Sequence, residues 1–161
     1  MPKPLTQETL IARAEISEVV IRYATGIDRR DWALYRSCFA DQIDLDFTSW
    51  SGGEPSKIAA DQWVTGVRDG LSGFDATHHV SSNHVITVED DQATCVSYMV
   101  AYHLLATSMG ENIFTLGGYY TNRLRRHAGE WKIHNCKLTV TWATGNRHLF
   151  ELAREHWNAK K

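Results

Sequence analysis

One carboxylate and one histidine in this sequence have the types and the setting needed for proton transfer. Asp28 ends the apolar stripe of the first predicted helix, and His79 follows His78 in a later segment that alternates as a strand does. If the fold brings Asp28 and His79 together, the carboxylate holds the imidazole in one tautomer and stabilises its protonated form. Such a histidine can remove a proton from carbon without a metal or a nucleotide. The pair predicts an elimination or an isomerisation.

Strand alternation predicts the apolar walls around this pair. His103 is a lone polar residue in a row with Met99, Ala101 and Leu105, which is typical of a ligand-orienting group in an apolar pocket. On the strand that begins near Thr77, one face carries His79, Ser81 and Asn83. Such walls suit a small hydrophobic, cyclic substrate. The predicted substrate-contacting residues are Phe47, Trp50, Asn83, Met99, Tyr120, Asn122, Leu138, Val140 and Trp142.

Hydrophobic periodicity predicts the elements that position these residues. A helix follows a cap at Thr6, a second helix follows Asp31, and residues 43–47 alternate as a strand. A third helix is predicted around Ile58, Trp63, Val64, Val67 and Leu71. Short turns between long strands indicate an antiparallel meander, and helices followed by a curved sheet indicate an α+β fold. The predicted later elements are strands 77–88, 93–106, 113–126 and 131–142 and a final helix over 148–159.

Composition limits the class of protein. The 161 residues suit one domain, and a formal net charge of -2 without a dense basic cluster argues against a nucleic-acid partner. Three cysteines without a CxxC spacing give no support to a disulfide framework and favour a reducing cytoplasm. The N-terminal residues lack the apolar run of a signal peptide, and no segment is apolar enough to predict a membrane span. Adjacent histidines on a strand point to opposite faces, so no metal site is expected.

Four short motifs together resemble a known family. They are residues 23–32, residues 77–79, residues 117–122 and residues 129–132. In this order and spacing they resemble the SnoaL-like branch of the nuclear transport factor 2-like superfamily, over nearly the whole chain. Within that branch the sequence is similar to scytalone dehydratase, bile-acid dehydratase and hexachlorocyclohexane dehydrochlorinase. The resemblance implies a cone-shaped, cystatin-like α+β fold with a curved antiparallel or mixed sheet around N-terminal helices, one such domain over residues 1–161, and cofactor-free chemistry.

The resemblance also implies roles for individual residues. Asp28 and His79 match the carboxylate and imidazole of the elimination dyad in those enzymes, with His79 as the base. Tyr23 matches a proton donor that faces the leaving group, and His103 lies near a second histidine that positions the substrate. Ile27 and Phe47 stand where scytalone dehydratase has tyrosines, so scytalone itself is not implied. An arginine of the dehydrochlorinase corresponds to Arg125 or to Arg126.

Each assignment has an alternative that requires no catalysis. Asp28 can be a polar helix terminus and His79 a buried histidine bonded to backbone. Tyr23 and His103 can be core residues with satisfied polar groups. For the whole protein, the alternatives to a lyase or isomerase are a non-catalytic subunit, like the small subunit of a ring-hydroxylating dioxygenase, and a small-molecule carrier. Apolar residues on strands predict self-association as a homodimer or homotrimer.

Overall fold

The structure is a computed structural model that describes residues 4–161. Residues 1–3, on which the expectation about a signal peptide partly rests, lie outside the described residues. The helices are α1 (Gln7–Asp28), α2 (Trp32–Ser37), α3 (Thr48–Ser51), α4 (Ala60–Leu71) and α5 (Leu149–Asn158). The strands are β1 (Phe39–Asp46), β2 (Ser56–Ala59), β3 (Ala76–Glu89), β4 (Gln92–Leu104), β5 (Ile113–His127) and β6 (Glu130–Gly145).

Helix α1 begins and ends where the sequence predicts. The Thr6 hydroxyl accepts a hydrogen bond from the Thr9 amide at 3.2 Å, which satisfies one free donor of the first turn. The apolar stripe of α1 is buried, and its last turn brings Asp28 to the sheet through contacts with β3. This burial accounts for the stability of α1, since isolated helices are marginal in water.

The six strands form one sheet in the order β2-β1-β6-β5-β4-β3. The strands from β3 to β6 pair antiparallel, whereas β1 pairs with β6 in parallel and with β2 antiparallel. Helices α1, α2, α4 and α5 pack on one side of this mixed sheet around the apolar core. The predicted α+β fold, with N-terminal helices inside a curved sheet, is confirmed.

Two local assignments from the sequence were wrong. Ile58 does not belong to the third predicted helix but to the short edge strand β2, where it pairs with Ile43 of β1. Periodicity could not separate the two because β2 runs directly into α4 at Ala59 and Ala60. The single turn α3 was not predicted, since a helix of four residues has no period to read.

Two findings bear on the expectations about membranes and disulfides. No helix within residues 4–161 has both the length and the apolarity that crossing a bilayer requires. Cys38, Cys95 and Cys136 are buried and carry free thiols.

Candidate active site

The end of α1 and the start of β3 bring Asp28 and His79 into direct contact. The His79 Nδ1 atom lies 2.7 Å from Asp28 Oδ1, and the backbone N–H of His79 donates to Asp28 Oδ2 at 2.7 Å. The His79 side chain is 8% exposed and that of Asp28 is 20% exposed. An ionised carboxylate only accepts hydrogen bonds, so Nδ1 carries the proton and Nε2 is the basic nitrogen of the neutral ring. His79 borders a cavity, and its Nε2 has no hydrogen-bond partner among residues 4–161.

Arg30 and Thr77 hold the Asp28 carboxylate in place. The Thr77 hydroxyl donates to Asp28 Oδ1 at 3.0 Å and accepts from an Arg30 guanidinium nitrogen at 2.9 Å. The same nitrogen donates to the carbonyl of Ile27 at 2.9 Å. Arg30 adopts a left-handed backbone with φ of 57°, which turns the chain after α1 and is disfavoured for a side chain of this kind. The network fixes the tautomer and orientation of His79 through its partner.

Loss of the Thr77 hydroxyl is expected to weaken this network. In Thr77→Val, which has nearly the same shape, Asp28 loses a donor and Arg30 loses an acceptor in a buried setting. We expect the free energy of unfolding to fall by about 1–3 kcal/mol, measured by urea denaturation. Thr77→Ser keeps the hydroxyl and serves as the control. Equal stability of Thr77→Val and wild type would show that the network does not contribute to the free energy of unfolding.

The protonation of Asp28 leads to a second prediction, which concerns the pH dependence of stability. Burial alone would raise the pKa of Asp28, but the hydrogen bonds from His79 outweigh burial and hold it below the ordinary value of 3.8. The folded state thus favours the carboxylate, so its stabilisation is present above about pH 4 and is lost as pH falls through the lowered pKa. The difference in Tm between wild type and Asp28→Asn should therefore stay constant from about pH 6 to about pH 4 and shrink as the pH falls further. A difference independent of pH would contradict the assignment.

A cavity of about 320 Å³ lies between the helices and the concave face of the sheet. His79 borders it from the sheet, and aromatic and aliphatic side chains supply most of its remaining wall. Its exposed lining residues are Ser51 of α3, Gly66 of α4 and Arg154 of α5. The other lining residues are Tyr23, Ile27, Tyr35, Phe47, Trp50, Trp63, Val67, Gly70, Leu71, Met99, Ala101, His103, Leu116, Tyr120, Leu138 and Phe150.

His103 is a second histidine in the cavity wall. It is 3% exposed, and its ring lies 5.7 Å from that of His79 and 4.9 Å from that of Phe150, measured between centroids. Burial, with the nearby His79 as a lesser cause, lowers the pKa of His103 to about 3. The ring is neutral at physiological pH, and its buried Nδ1 has no hydrogen-bond partner among the described residues. An unpaired buried nitrogen beside a cavity suits a polar group of a ligand.

Three tyrosines contributed by α1, α2 and β5 meet in the wall of the cavity. Tyr23 and Tyr120 have their hydroxyl oxygens 3.4 Å apart, and Tyr35 lies against Tyr23 with ring centroids separated by 4.9 Å. Trp63 donates to the Tyr35 hydroxyl at 3.0 Å. Burial raises the pKa of Tyr23 well above 10.0, and the neighbouring Tyr120 raises it further. These hydroxyls therefore stay protonated and can donate to an oxygen or a halogen on a ligand.

The structure brings most of the predicted site residues to the cavity. Besides Asp28, which lies behind His79, the residues that border it are Tyr23, Phe47, Trp50, His79, Met99, His103, Tyr120 and Leu138. Val140 is partly buried against the core beside this wall. Asn122 is 2% exposed and lies deeper, at a small void shared with Tyr23 and His79.

Asn83 and Trp142 were wrongly placed by strict alternation, because β-bulges shift the register beside them. Between Ser82 and Val85 the register of β3 slips; Asn83 takes a φ of 52° and is exposed. A second bulge places Trp142 opposite Gly117, while Val140 stands opposite Gly118. Trp142 is 47% exposed and covers Gly117 on the outer face of the sheet.

Arginines at the far end of the sheet do not reach the cavity. Arg126 pairs with Glu15 at 3.4 Å and lies over the Trp131 ring, and Arg125 is exposed. Neither residue borders the cavity around His79. The arginine that does border it, Arg154, was not singled out from the sequence.

Sequence reasoning also missed several wall residues. Tyr35 and Phe150 border the cavity but were not among the predicted site residues. The signal for Tyr35 was its position on the apolar face of α2, but a hydroxyl at the cavity wall cannot be told from a buried one by spacing. Among residues 4–161, no cluster of histidine, cysteine or acidic side chains has a geometry that could hold a metal ion.

Comparison with known proteins places the chain in a family. The model of the SnoaL-like domain matches residues 8–137, which is most of the chain. The protein belongs to the SnoaL-like domain family. Among solved structures, the Kfla4162 protein from Kribbella flavida is 31% identical, with a TM-score of 0.81 over 86% of this chain and 96% of that one. No curated protein gives a significant match.

Two more distant structures share the fold of this SnoaL-like chain. A candidate scytalone dehydratase from Novosphingobium aromaticivorans is 19% identical, with a TM-score of 0.76 over 89% of this chain and 93% of that one. Hexachlorocyclohexane dehydrochlorinase LinA type 3 from Novosphingobium barchaimii is 18% identical, with a TM-score of 0.70 over 86% and 92%. At these identities the likeness concerns the fold. The resemblance to SnoaL-like proteins that the sequence motifs carry is confirmed at the level of the family.

Proposed function

We propose that this protein is a cofactor-independent lyase or isomerase that removes a proton from a small, hydrophobic, cyclic substrate. The observation that carries the proposal is the contact between His79 Nδ1 and Asp28 Oδ1 at 2.7 Å beside an apolar cavity. A carboxylate bound to one ring nitrogen leaves the other as a base and stabilises the imidazolium that forms. Structures named as a dehydratase and a dehydrochlorinase share the fold, which supports a lyase over other chemistry.

The chemistry follows from the groups around the cavity. His79 Nε2 takes a proton from carbon, and the electron pair of the broken C–H bond forms a double bond or an enolate. In an elimination the leaving group departs with its bonding pair; for a hydroxyl, a proton from the imidazolium completes water. In an isomerisation the same proton returns to a different carbon. Tyr23 donates a hydrogen bond to the oxygen or halogen where negative charge develops, and neutral His103 helps to position the substrate.

Deuterium exchange tests the proposal without knowledge of the leaving group. A panel of cyclic ketones, cyclic β-hydroxy ketones and halogenated cyclohexanes is incubated with the protein in D₂O. NMR follows the loss of C–H signals, and mass spectrometry follows the loss of water or hydrogen halide. We expect enzyme-dependent exchange or elimination with at least one class. Compounds that bind but are recovered without exchange, with affinity unchanged in Asp28→Asn, would identify a small-molecule carrier instead.

A further inference from the structure

The mouth of the cavity differs in charge from its interior. Among the described residues that line the cavity, Arg154 is the one with a permanent charge, and no aspartate or glutamate borders it. Arg154 is exposed on α5 and makes no hydrogen bond or ion pair with residues 4–161. The neighbouring Glu151, one turn earlier on α5, is already paired with His148 at 2.9 Å. A free guanidinium therefore stands where a ligand would enter.

Two glycines on α4 form the opposite side of this mouth. Gly66 lies in the middle of α4 and Gly70 in its last turn, and a glycine in the middle of a helix costs about 0.5–1 kcal/mol relative to alanine. Neither has a left-handed backbone, and a Cβ atom at either position would meet no heavy atom within 4 Å. Neither backbone geometry nor packing therefore explains them. Their missing side chains leave an open notch that faces α5 across the mouth.

The wall of the cavity also includes a residue with an unsatisfied polar atom, which lacks a hydrogen-bond partner. His103 Nδ1 is buried and unpaired among the described residues, and the residue is 3% exposed in the lining of the cavity. A ligand that extends from His103 to the mouth thus meets one neutral polar group inside and one cation outside. Between them the wall is apolar and aromatic, as in the contacts of Phe47, Trp63 and Phe150.

We propose that the mouth between α4 and α5 is a subsite for an anionic oxygen group, a carboxylate or a phosphate, on a substrate whose cyclic apolar part fills the cavity. Arg154 pairs with the anion, and the notch at Gly66 and Gly70 gives it room. A guanidinium binds planar oxyanions through paired N–H donors, which an ammonium cannot reproduce. The proposal rests on the proposed function for the claim that the occupant reacts, but its charge preference concerns binding alone.

Calorimetric titration with matched probes tests this subsite. The probes are 2-naphthylacetate, its uncharged amide and 2-naphthyl phosphate, each titrated into the full-length protein at pH 7 and low salt. We expect the acid to bind about three- to tenfold more tightly than the amide, and this advantage to shrink as salt is added. Whichever of acetate and phosphate binds more tightly identifies the source of the anion, and either order supports the subsite.

Variants assign the preference to Arg154. In Arg154→Met the acid and the amide should bind within about twofold of each other. Arg125→Met removes an exposed charge at the far end of the sheet and should keep the preference, as should Asp28→Asn, which tests the proposed chemistry separately. Gly66→Leu should weaken both probes by filling the notch. Equal binding of acid and amide to wild type, no binding of either probe, or a preference that survives in Arg154→Met would overturn the proposal.

Discussion

Replacement of His79 by glutamine is expected to lower turnover by about two to four orders of magnitude. Glutamine can still form a hydrogen bond with Asp28, but its amide cannot accept the substrate proton at neutral pH. The effect is measured as the rate of deuterium exchange or elimination with the substrate class found active. Binding of that substrate should change much less, because His79 supplies only part of the cavity wall. The expected loss therefore appears in kcat rather than in KM.

His78 provides a matched control for this variant. It precedes His79 in β3 but is exposed on the opposite face of the sheet, where its ring lies 6.2 Å from that of Tyr102. His78→Gln makes the same chemical change one residue away and should keep wild-type turnover. If both variants lose activity equally, or if His79→Gln keeps full activity, the base is not His79. Asp28→Asn should also lose most activity, since an asparagine no longer stabilises the imidazolium.

Replacement of Gly73 by alanine is expected to give the largest loss of stability. Gly73 lies between α4 and β3, and a Cβ atom there would overlap the backbone carbonyl of Ala153 in α5. Backbone cannot move aside as a flexible side chain can, so α5 must shift. We expect the free energy of unfolding to fall by about 3 kcal/mol or more, measured by urea denaturation. The shift would also move Phe150 away from His103 and open the cavity.

Gly66→Ala is the control for this prediction. Its new Cβ would meet no atom within 4 Å, and the substitution removes a glycine from a helix interior. The free energy of unfolding should rise by about 0.5–1 kcal/mol. A loss of stability in Gly73→Ala no larger than the effect of Gly66→Ala would show that α5 is not held against residue 73 as the structure places it.

Those parts of the candidate site that depend on the periodicity of a single helix or strand could be predicted from the sequence. The stripe of α1 ends at Asp28, and alternation along β4 puts His103 on the same face as Met99; both placements agree with the structure. Alternation failed at Asn83 and Trp142, because a bulge adds one residue to a strand and reverses every side chain beyond it. No pattern of residue types in β3 or β6 marks where these bulges lie.

The sequence by itself determined the class of fold, the family and the two groups most suited to proton transfer. These follow from periodicity and short motifs, which act within one element. The tertiary structure decided how Arg30 and Thr77 support Asp28, which tyrosines meet, and where α4 and α5 leave an opening with Arg154 at its edge. Such features depend on distances between elements far apart in the chain, and those distances are set by packing of the whole core.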